Sequence, residues 1–513
     1  MTKQLILDGK SLTSLDVYKV SHAKKGEYEL VLSKDSIKKV LKSNEYVIGK
    51  SKSDEAIYGI NTGFGALSSM KIEEENLEQL QLNLIRSHCT GVGPNFDRET
   101  TRAIMLLRAN CLISGYSGVS ISAINLLLDF INEDVNPLVP KKGSVGASGD
   151  LAPLAHVALC LIGEGQVIYN GKEISSKFAL HEIKKEAITL GPKDGLALIN
   201  GTAVMAALGC VGIHRAINIA KIADIAGALT LDGVQGTSVA FSRRISELKP
   251  HKGQLNVCDN LAVLLKGSEI IESHEDCGKV QDPYSLRCIP QVHGASRMTI
   301  DHFKTLLDVE INSVTDNPLV FPDEDLIISG GNFHGEAMAL GMDYMTMGLS
   351  EFGNISERRI EKMMNPTFSD LPPFLIEKSG LNSGLMIAHV TAAALASENK
   401  ALCTPASVDS IPTSTDKEDH VSMGVTSGRM LIELIDNLYY ILAIEFLCSS
   451  QALDFQRPKK TSKALENVHA LIRKHVPKIT QDRVFQPDIN NIESLLRSGE
   501  LVAAAEEETG ELF

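Results

Sequence analysis

Ala147, Ser148 and Gly149 are the residues of this chain whose types and order can make chemistry that no single side chain supplies. They stand inside the run Gly143-Ser-Val-Gly-Ala-Ser-Gly-Asp-Leu-Ala-Pro-Leu-Ala-His156. For a five-membered imidazolone to close, the amide nitrogen of Gly149 must reach the carbonyl carbon of Ala147. Glycine has no Cβ to obstruct that approach and alanine has the smallest one. Ser148 can then lose its hydroxyl as water, leaving an exocyclic methylidene conjugated with the ring. Such a carbon is an electron-poor centre built from backbone, able to take up an amine and help it depart as ammonia. Chance alone places an Ala-Ser-Gly triplet in about one chain in six of this length, so its setting carries the weight. Gly143 and Gly146 allow a tight turn before it, and Asp150 is a candidate N-cap after it. Leu151, Leu154 and Leu161 then recur at helical spacing.

Removing ammonia from an α-amino acid also requires a base for an unactivated β-proton and a grip on the carboxylate. Tyr58 lies in Tyr58-Gly-Ile-Asn-Thr-Gly-Phe-Gly65, where glycines let backbone approach a ligand. A phenol of pKa about 10 becomes a base near neutral pH only if positive charge or helix dipoles lower it. The alternative is a buried tyrosine with a satisfied hydroxyl. Arg287 offers a planar fork for two carboxylate oxygens, although a surface ion pair would explain it equally. If 281–287 is helical, Tyr284 and Gln281 share its face. Asn200 follows the apolar Leu196-Ala-Leu-Ile199 and is either a helix cap or a buried hydrogen-bonding group, while Phe333 is a core aromatic or a pocket wall. His334-Gly-Glu336 gives two possible metal ligands without a third at a recognisable spacing, so no metal is expected. No Gly-x-x-x-x-Gly-Lys-Ser/Thr occurs, and 59–65 lacks Gly-x-Gly-x-x-Gly.

The 143–156 run resembles the signature of the aromatic amino acid ammonia-lyase family. The similarity continues through Tyr58 to Gly65, Asn200-Gly-Thr, Val280-Gln-Asp-Pro-Tyr-Ser-Leu-Arg-Cys288, Gly330-Gly-Asn-Phe-His334 and Glu418-Asp-His-Val-Ser-Met423. It implies that Ala147-Ser148-Gly149 becomes 4-methylideneimidazol-5-one (MIO), with neither pyridoxal phosphate nor a nucleotide as cofactor. It further implies Tyr58 as the base, Asn200 beside the ring, Arg287 as the substrate carboxylate ligand, Gln281 and Tyr284 as lining, and Phe333 against ring and substrate. Ser87-His88 and Glu418-Asp-His420 resemble the histidine-specific branch, whereas phenylalanine and tyrosine lyases usually carry Phe-Leu or His-Leu and a glutamine there. An imidazole buried in a pocket needs polar partners, and His88 and Glu418 are suited to provide them. The implied reaction is elimination of ammonia from L-histidine to give trans-urocanate, which opens histidine degradation. The alternative is a phenylalanine or tyrosine lyase, or an aminomutase, of the same family. Cys89 and Thr90, often alanines, and His389, often glutamine, depart from the pattern.

The elements that must position these residues are mostly helical. Strand-like pieces at 5–7 and 28–32 and a helix starting at Ser33 open the chain. Beyond about 75 helical periodicity dominates, as in Phe303, Leu306, Leu307, Ile311 and Val314, or Leu434, Leu438, Ile441 and Leu442. Breaks at 91–95, 137–149, 318–331, 366–373 and 404–419 carry most of the unusual residues. The expectation is a mainly α protein with a small mixed N-terminal domain (1–115) followed by a central bundle of long helices (116–513). The resemblance implies the same fold, assembled as a homotetramer whose active sites are shared between subunits. A net charge of −14 argues against a nucleic-acid partner. Nine scattered cysteines without a Cys-x-x-Cys pair, no signal-peptide core, and apolar runs such as 204–213 cut short by His214-Arg215 fit a reduced, cytoplasmic protein with no membrane partner. Residues 506–511, rich in glutamate, read as a solvated end.

Overall fold

The structure is a computed structural model that describes residues 2–274 and 280–513; of the nine cysteines, Cys277 lies outside the described residues. The other eight are free thiols. Among the described residues, twenty-one α-helices alternate with short strands that form two- and three-stranded sheets. The mainly α expectation therefore holds. The chain divides into two compact units, Met1–Gly212 with Lys304–Asp343 and Pro405–Arg429, and Ile213–Phe303 with Tyr344–Thr404 and Met430–Phe513. This division is discontinuous in sequence, unlike the boundary expected near 115.

In the first unit, strands Lys3–Leu7 and Tyr28–Leu32 pair in parallel, and Ser33 caps the helix Lys34–Ser51 by accepting from the Ser36 N–H. Three of the breaks contain short pairings: Val92–Asn95 runs antiparallel to Pro140–Lys142, and Leu319–Phe321 forms a hairpin with Leu326–Ile328. The periodicity at 303–314 overruns its helix, which ends at Glu310. Asn312 explains the stop. Its Oδ1 accepts from Leu12 N at 3.0 Å and its Nδ2 donates to Leu12 O at 2.8 Å, drawing the chain away from the helical path.

The second unit packs long helices around buried aliphatic rows, with Leu434, Leu438, Ile441 and Leu442 all within Gly424–Gln456 and inaccessible to solvent. Charged groups are buried among them in pairs, Arg359 with Glu445 and His293 with Asp224 at 2.7 Å, each offsetting its partner's charge. His389 belongs here as well, its Nε2 2.8 Å from Glu357 Oε1. One segment departs from the sequence reading and one adds to it. His214-Arg215 does not keep the segment short of a span, because both residues lie within the continuous 31-residue helix Ala203–Gly233. That helix is long and apolar enough to cross a membrane, yet 78% of its most apolar window is buried inside the protein. The acidic C-terminal segment keeps Glu507, Glu508 and Glu511 exposed, as expected, but it is also anchored: Lys221 Nζ holds Glu506 at 2.8 Å, Leu512 is buried, and Arg297 donates to the Phe513 carbonyl at 2.7 Å.

Candidate active site

The Ala147-Ser148-Gly149 segment crosses the first unit as a strained loop wedged against Gly201. Gly149 has φ +65° and Gly201 φ +142°, and the two form a bridge reinforced by the Asp150 N–H donating to Gly201 O at 2.8 Å. A Cβ on Gly149 would stand 2.3 Å from the Gly201 carbonyl carbon. Neither position tolerates a side chain, so these two glycines fix how the reacting backbone is held. Gly201→Ala is therefore expected to lower stability by about 3 kcal/mol and to leave Gly149 misplaced for ring closure. Thermal unfolding together with the intact mass of the protein checks both effects.

Asp150 does more than start the next helix. It precedes Leu151–Leu161, but its side chain makes no capping bond there. Instead Oδ2 accepts from Val204 N at 2.8 Å and Met205 N at 3.0 Å, capping the Ala203–Gly233 helix, while Oδ1 accepts from Ser144 Oγ at 3.2 Å. Complete burial pushes its carboxyl up to about 7 against these bonds. From the other side, Ser422 Oγ donates to Gly146 O at 2.9 Å and Met423 N to Val145 O at 2.9 Å. The turn is thus clamped between the start of a long helix and the segment that carries Glu418.

Ser148 Oγ donates to Glu418 Oε1 at 2.7 Å, and Thr413 Oγ1 donates to Glu418 Oε2 at 2.6 Å. Two hollows meet at this pair. One, of about 680 Å³, is lined by Tyr58, Ala147, Ser148, Phe333 and Glu418 among others; the second, of about 290 Å³, by His88, Ala147, Ser148, Gly149 and Glu418. Seven of the residues singled out in the sequence therefore converge, although they come from segments up to 360 positions apart. His88 ends the helix Leu77–His88, and its Nδ1 lies 2.8 Å from the Leu84 carbonyl. Donation there leaves Nε2 as the acceptor, and burial holds the imidazole below its ordinary pKa. Tyr58 departs from what a base requires. Burial pushes the phenol up, the Glu418 and Asp316 carboxylates push it further, and only a backbone hydrogen bond from Gly65 opposes them. Within this chain the expected lowering by positive charge is reversed.

Asn200 is not among the residues lining either hollow. It follows the helix Asp194–Ile199, and its side chain does not cap that helix: Nδ2 donates to Asn317 O at 3.0 Å and Oδ1 is buried without a partner. Gln281, Tyr284 and Arg287 belong to the second unit. The helix there covers only Tyr284–Arg287, so Gln281 lies outside it and the shared face reduces to Arg287 stacked on the Tyr284 ring at 4.4 Å. Pro283 explains the late start, since it serves as the residue before the first turn. The sequence offered His420 only within the Glu418-Asp-His420 motif; the structure sets it as a third group beside His334 and Glu336, one ligand atom of each lying within 4.8 Å of the others. Tetrahedral zinc with bonds of about 2.1 Å would bring its ligand atoms to about 3.4 Å from one another. His334 Nε2 is already placed 3.2 Å from the His420 carbonyl, so the cluster reads as polar lining of the larger hollow.

The sequence profile of the aromatic amino acid lyase family matches residues 12–474. The chain belongs to that family. This lyase is 48% identical over 506 residues to a histidine ammonia-lyase of Caldanaerobacter subterraneus subsp. tengcongensis, covering 99% of each chain. Among solved structures it is similar to histidine ammonia-lyase from Trypanosoma cruzi, with 42% identity, a TM-score of 0.91 and coverage of 99% and 96% of the two chains. It also superimposes on tyrosine aminomutase from Streptomyces globisporus, with 36% identity, a TM-score of 0.93 and full coverage of both chains.

Proposed function

We propose that this lyase eliminates ammonia from L-histidine to give trans-urocanate, using an MIO ring formed from Ala147-Ser148-Gly149. The observation that carries the reading is the meeting of Ser148 and Glu418 at 2.7 Å between two hollows, one holding Tyr58 and the other His88. The loop fits the ring: Gly149 is pressed against Gly201 where a Cβ would collide, and Ser148 is half-buried at the rim of both hollows. Once formed, the ring would supply an electrophilic methylidene for the substrate amine. Loss of the Ser148 hydroxyl frees Glu418 Oε1, which then can accept from an imidazole N–H of the substrate, while Nε2 of His88 offers a second acceptor. Tyr58, as phenolate, takes the β-proton; the C–H electron pair becomes the new double bond and the amine leaves with its own pair. Arg287 holds the carboxylate and keeps the α-carbon in register.

A homotetramer in a cytoplasmic setting is part of the same proposal. Leu340, Tyr344 and Met347 form an exposed apolar stripe at i, i+4, i+7 on the helix Glu336–Met364, and Tyr284 is 70% exposed beside Arg287. Packing of copies along that stripe would cover it. It would also allow another copy's Tyr284 and Arg287 to complete the site and bring Tyr58 the positive charge it lacks in one chain.

Purified protein should convert L-histidine, and neither L-phenylalanine nor L-tyrosine, with urocanate and ammonia appearing in equal amounts. Cinnamate, coumarate or a β-amino acid in place of urocanate would overturn the assignment in favour of another member of the family. Glu418→Gln should lower kcat/KM for L-histidine by about 100-fold, the cost of a charge-assisted hydrogen bond to the substrate. An unchanged value would remove Glu418 from the imidazole pocket.

A further inference from the structure

One buried charge is used neither by the sequence motifs nor by the mechanism above. Arg108 is 1% exposed on the helix Arg98–Leu112. Its Nη2 donates to the Ala197 carbonyl, whereas Nε and Nη1 are buried and donate to no atom of the described residues. Two close backbone contacts in series place it. A Cβ on Gly149 would lie 2.3 Å from the Gly201 carbonyl carbon, and a Cβ on Gly201 would lie 2.3 Å from Arg108 Nη1. The guanidinium is thus packed directly behind the backbone that supports Gly149.

Other buried ionisable groups surround it and bond to one another or to the backbone. Lys193 and Asp316, both fully buried, pair at 2.7 Å, and the second Asp316 oxygen accepts from the Asn317 N–H at 2.7 Å. Burial holds the Lys193 ammonium below its ordinary pKa, and Arg108 adds a repulsion in the same direction. Asp194, Asp150 and Glu310 are further buried carboxyls of this region, each bonded elsewhere, and among the described residues no carboxylate pairs with Arg108, so its charge is unpaired and in a dry interior acts over several ångströms. A guanidinium kept only for packing would be expected to have its donors satisfied; two of these three nitrogens are idle.

We propose that Arg108 is a positioning residue whose unpaired charge stabilises negative charge developing on the Ala147–Gly149 backbone, both in ring closure and during turnover. The inference rests on the function proposed above. In closure, the Gly149 nitrogen bonds to the Ala147 carbonyl carbon as the π pair of that carbonyl moves to oxygen. The oxygen takes the Gly149 N–H proton and leaves as water with the proton from the Ser148 nitrogen, forming the C=N bond. The Ser148 hydroxyl leaves as a second water with the Cα proton. No oxidant or reductant is needed, and the charged stage is the one in which the π pair rests on oxygen. A fixed charge already in place requires no reorganisation at that stage.

The test compares Arg108→Met, which keeps length and loses charge, with Arg108→Lys, which keeps charge and loses the fork. Lys193 and Asp316 still neutralise one another in the methionine variant. Readouts are the growth of the species two waters lighter by intact mass, kcat and KM for L-histidine, and thermal unfolding. Arg108→Met should fold, close its ring at least about 10-fold more slowly, and lose about 30-fold in kcat with KM within about twofold, while Arg108→Lys stays within about threefold of the parent protein. Should the methionine variant misfold, Arg108→Gln, which can still bond the Ala197 carbonyl, takes its place with the same expected losses. Normal maturation and kcat in a folded neutral variant would overturn the proposal, as would a lysine variant as impaired as the neutral one. A parent protein of full unmodified mass would overturn the proposed function as well, which separates that failure from one confined to Arg108.

Discussion

Ser148→Ala should leave a folded protein that turns over L-histidine at least about 1,000-fold more slowly than the parent, because alanine has no hydroxyl to lose and cannot become the methylidene carbon. The structural cost is small. Oγ of Ser148 makes its hydrogen bond to Glu418 Oε1, and Thr413 continues to hold the other oxygen of that carboxylate. Stability should therefore change by only about 1 kcal/mol, the net worth of one hydrogen bond. Urocanate absorbance and thermal unfolding measured on the same preparation check the two halves together. A variant with normal unfolding and undiminished turnover would show that the reaction does not need Ser148.

Tyr58→Phe should lower kcat by about 100-fold or more and move KM little, because the phenolate acts on the β-proton in the transition state and adds little to ground-state binding. Its environment adds a pH signature. Burial and the carboxylates of Glu418 and Asp316 raise the Tyr58 pKa, so in this chain the base form is scarce at neutral pH and grows as pH rises. If the base must be ionised, log kcat/KM should climb with pH on the alkaline side and level off where the phenol has lost its proton. Tyr58→Phe should lose that climb. A proportional rise in KM with kcat intact would make Tyr58 a binding residue instead. Positive charge from a neighbouring copy would bring the levelling-off to lower pH, so the profile also reports on assembly.

Much of the site was legible in the sequence because it is written in local backbone needs. Gly149 and Gly201 announce themselves as glycines, and structure supplies the reason: each is pressed where a Cβ would meet another atom at 2.3 Å. The pairing of Ser148 with Glu418, 270 positions apart, followed from no spacing; family resemblance named the two residues in separate roles, and the structure brings them together at 2.7 Å. Helix interiors were read well where aliphatic periodicity was strong, as at 434–442. Ends were read poorly where a distant side chain decides them, as Asn312 does by bonding Leu12, or where a proline delays the start, as Pro283 does before Tyr284. Asp150 looked like a cap for its own helix but caps another, since periodicity identifies a capping residue without saying which end of which helix it serves. Arg108 carried a signal that went unread: a charge set in the apolar run Leu106-Leu107-Arg108-Ala109. Such a residue is either a partner in a buried pair or a charge with a task, and only the idle Nε and Nη1 distinguish them.

The whole account turns on the backbone of three residues, and the most direct measurement is the mass of the peptide that contains them. Proteolysis of the purified parent protein followed by mass spectrometry of the fragment spanning 143–156 should give a species lighter than the encoded sequence by two waters, with both losses confined to 147–149. A fragment of full mass, from protein that is folded and active, would contradict the account by removing the electrophile on which the proposed elimination depends.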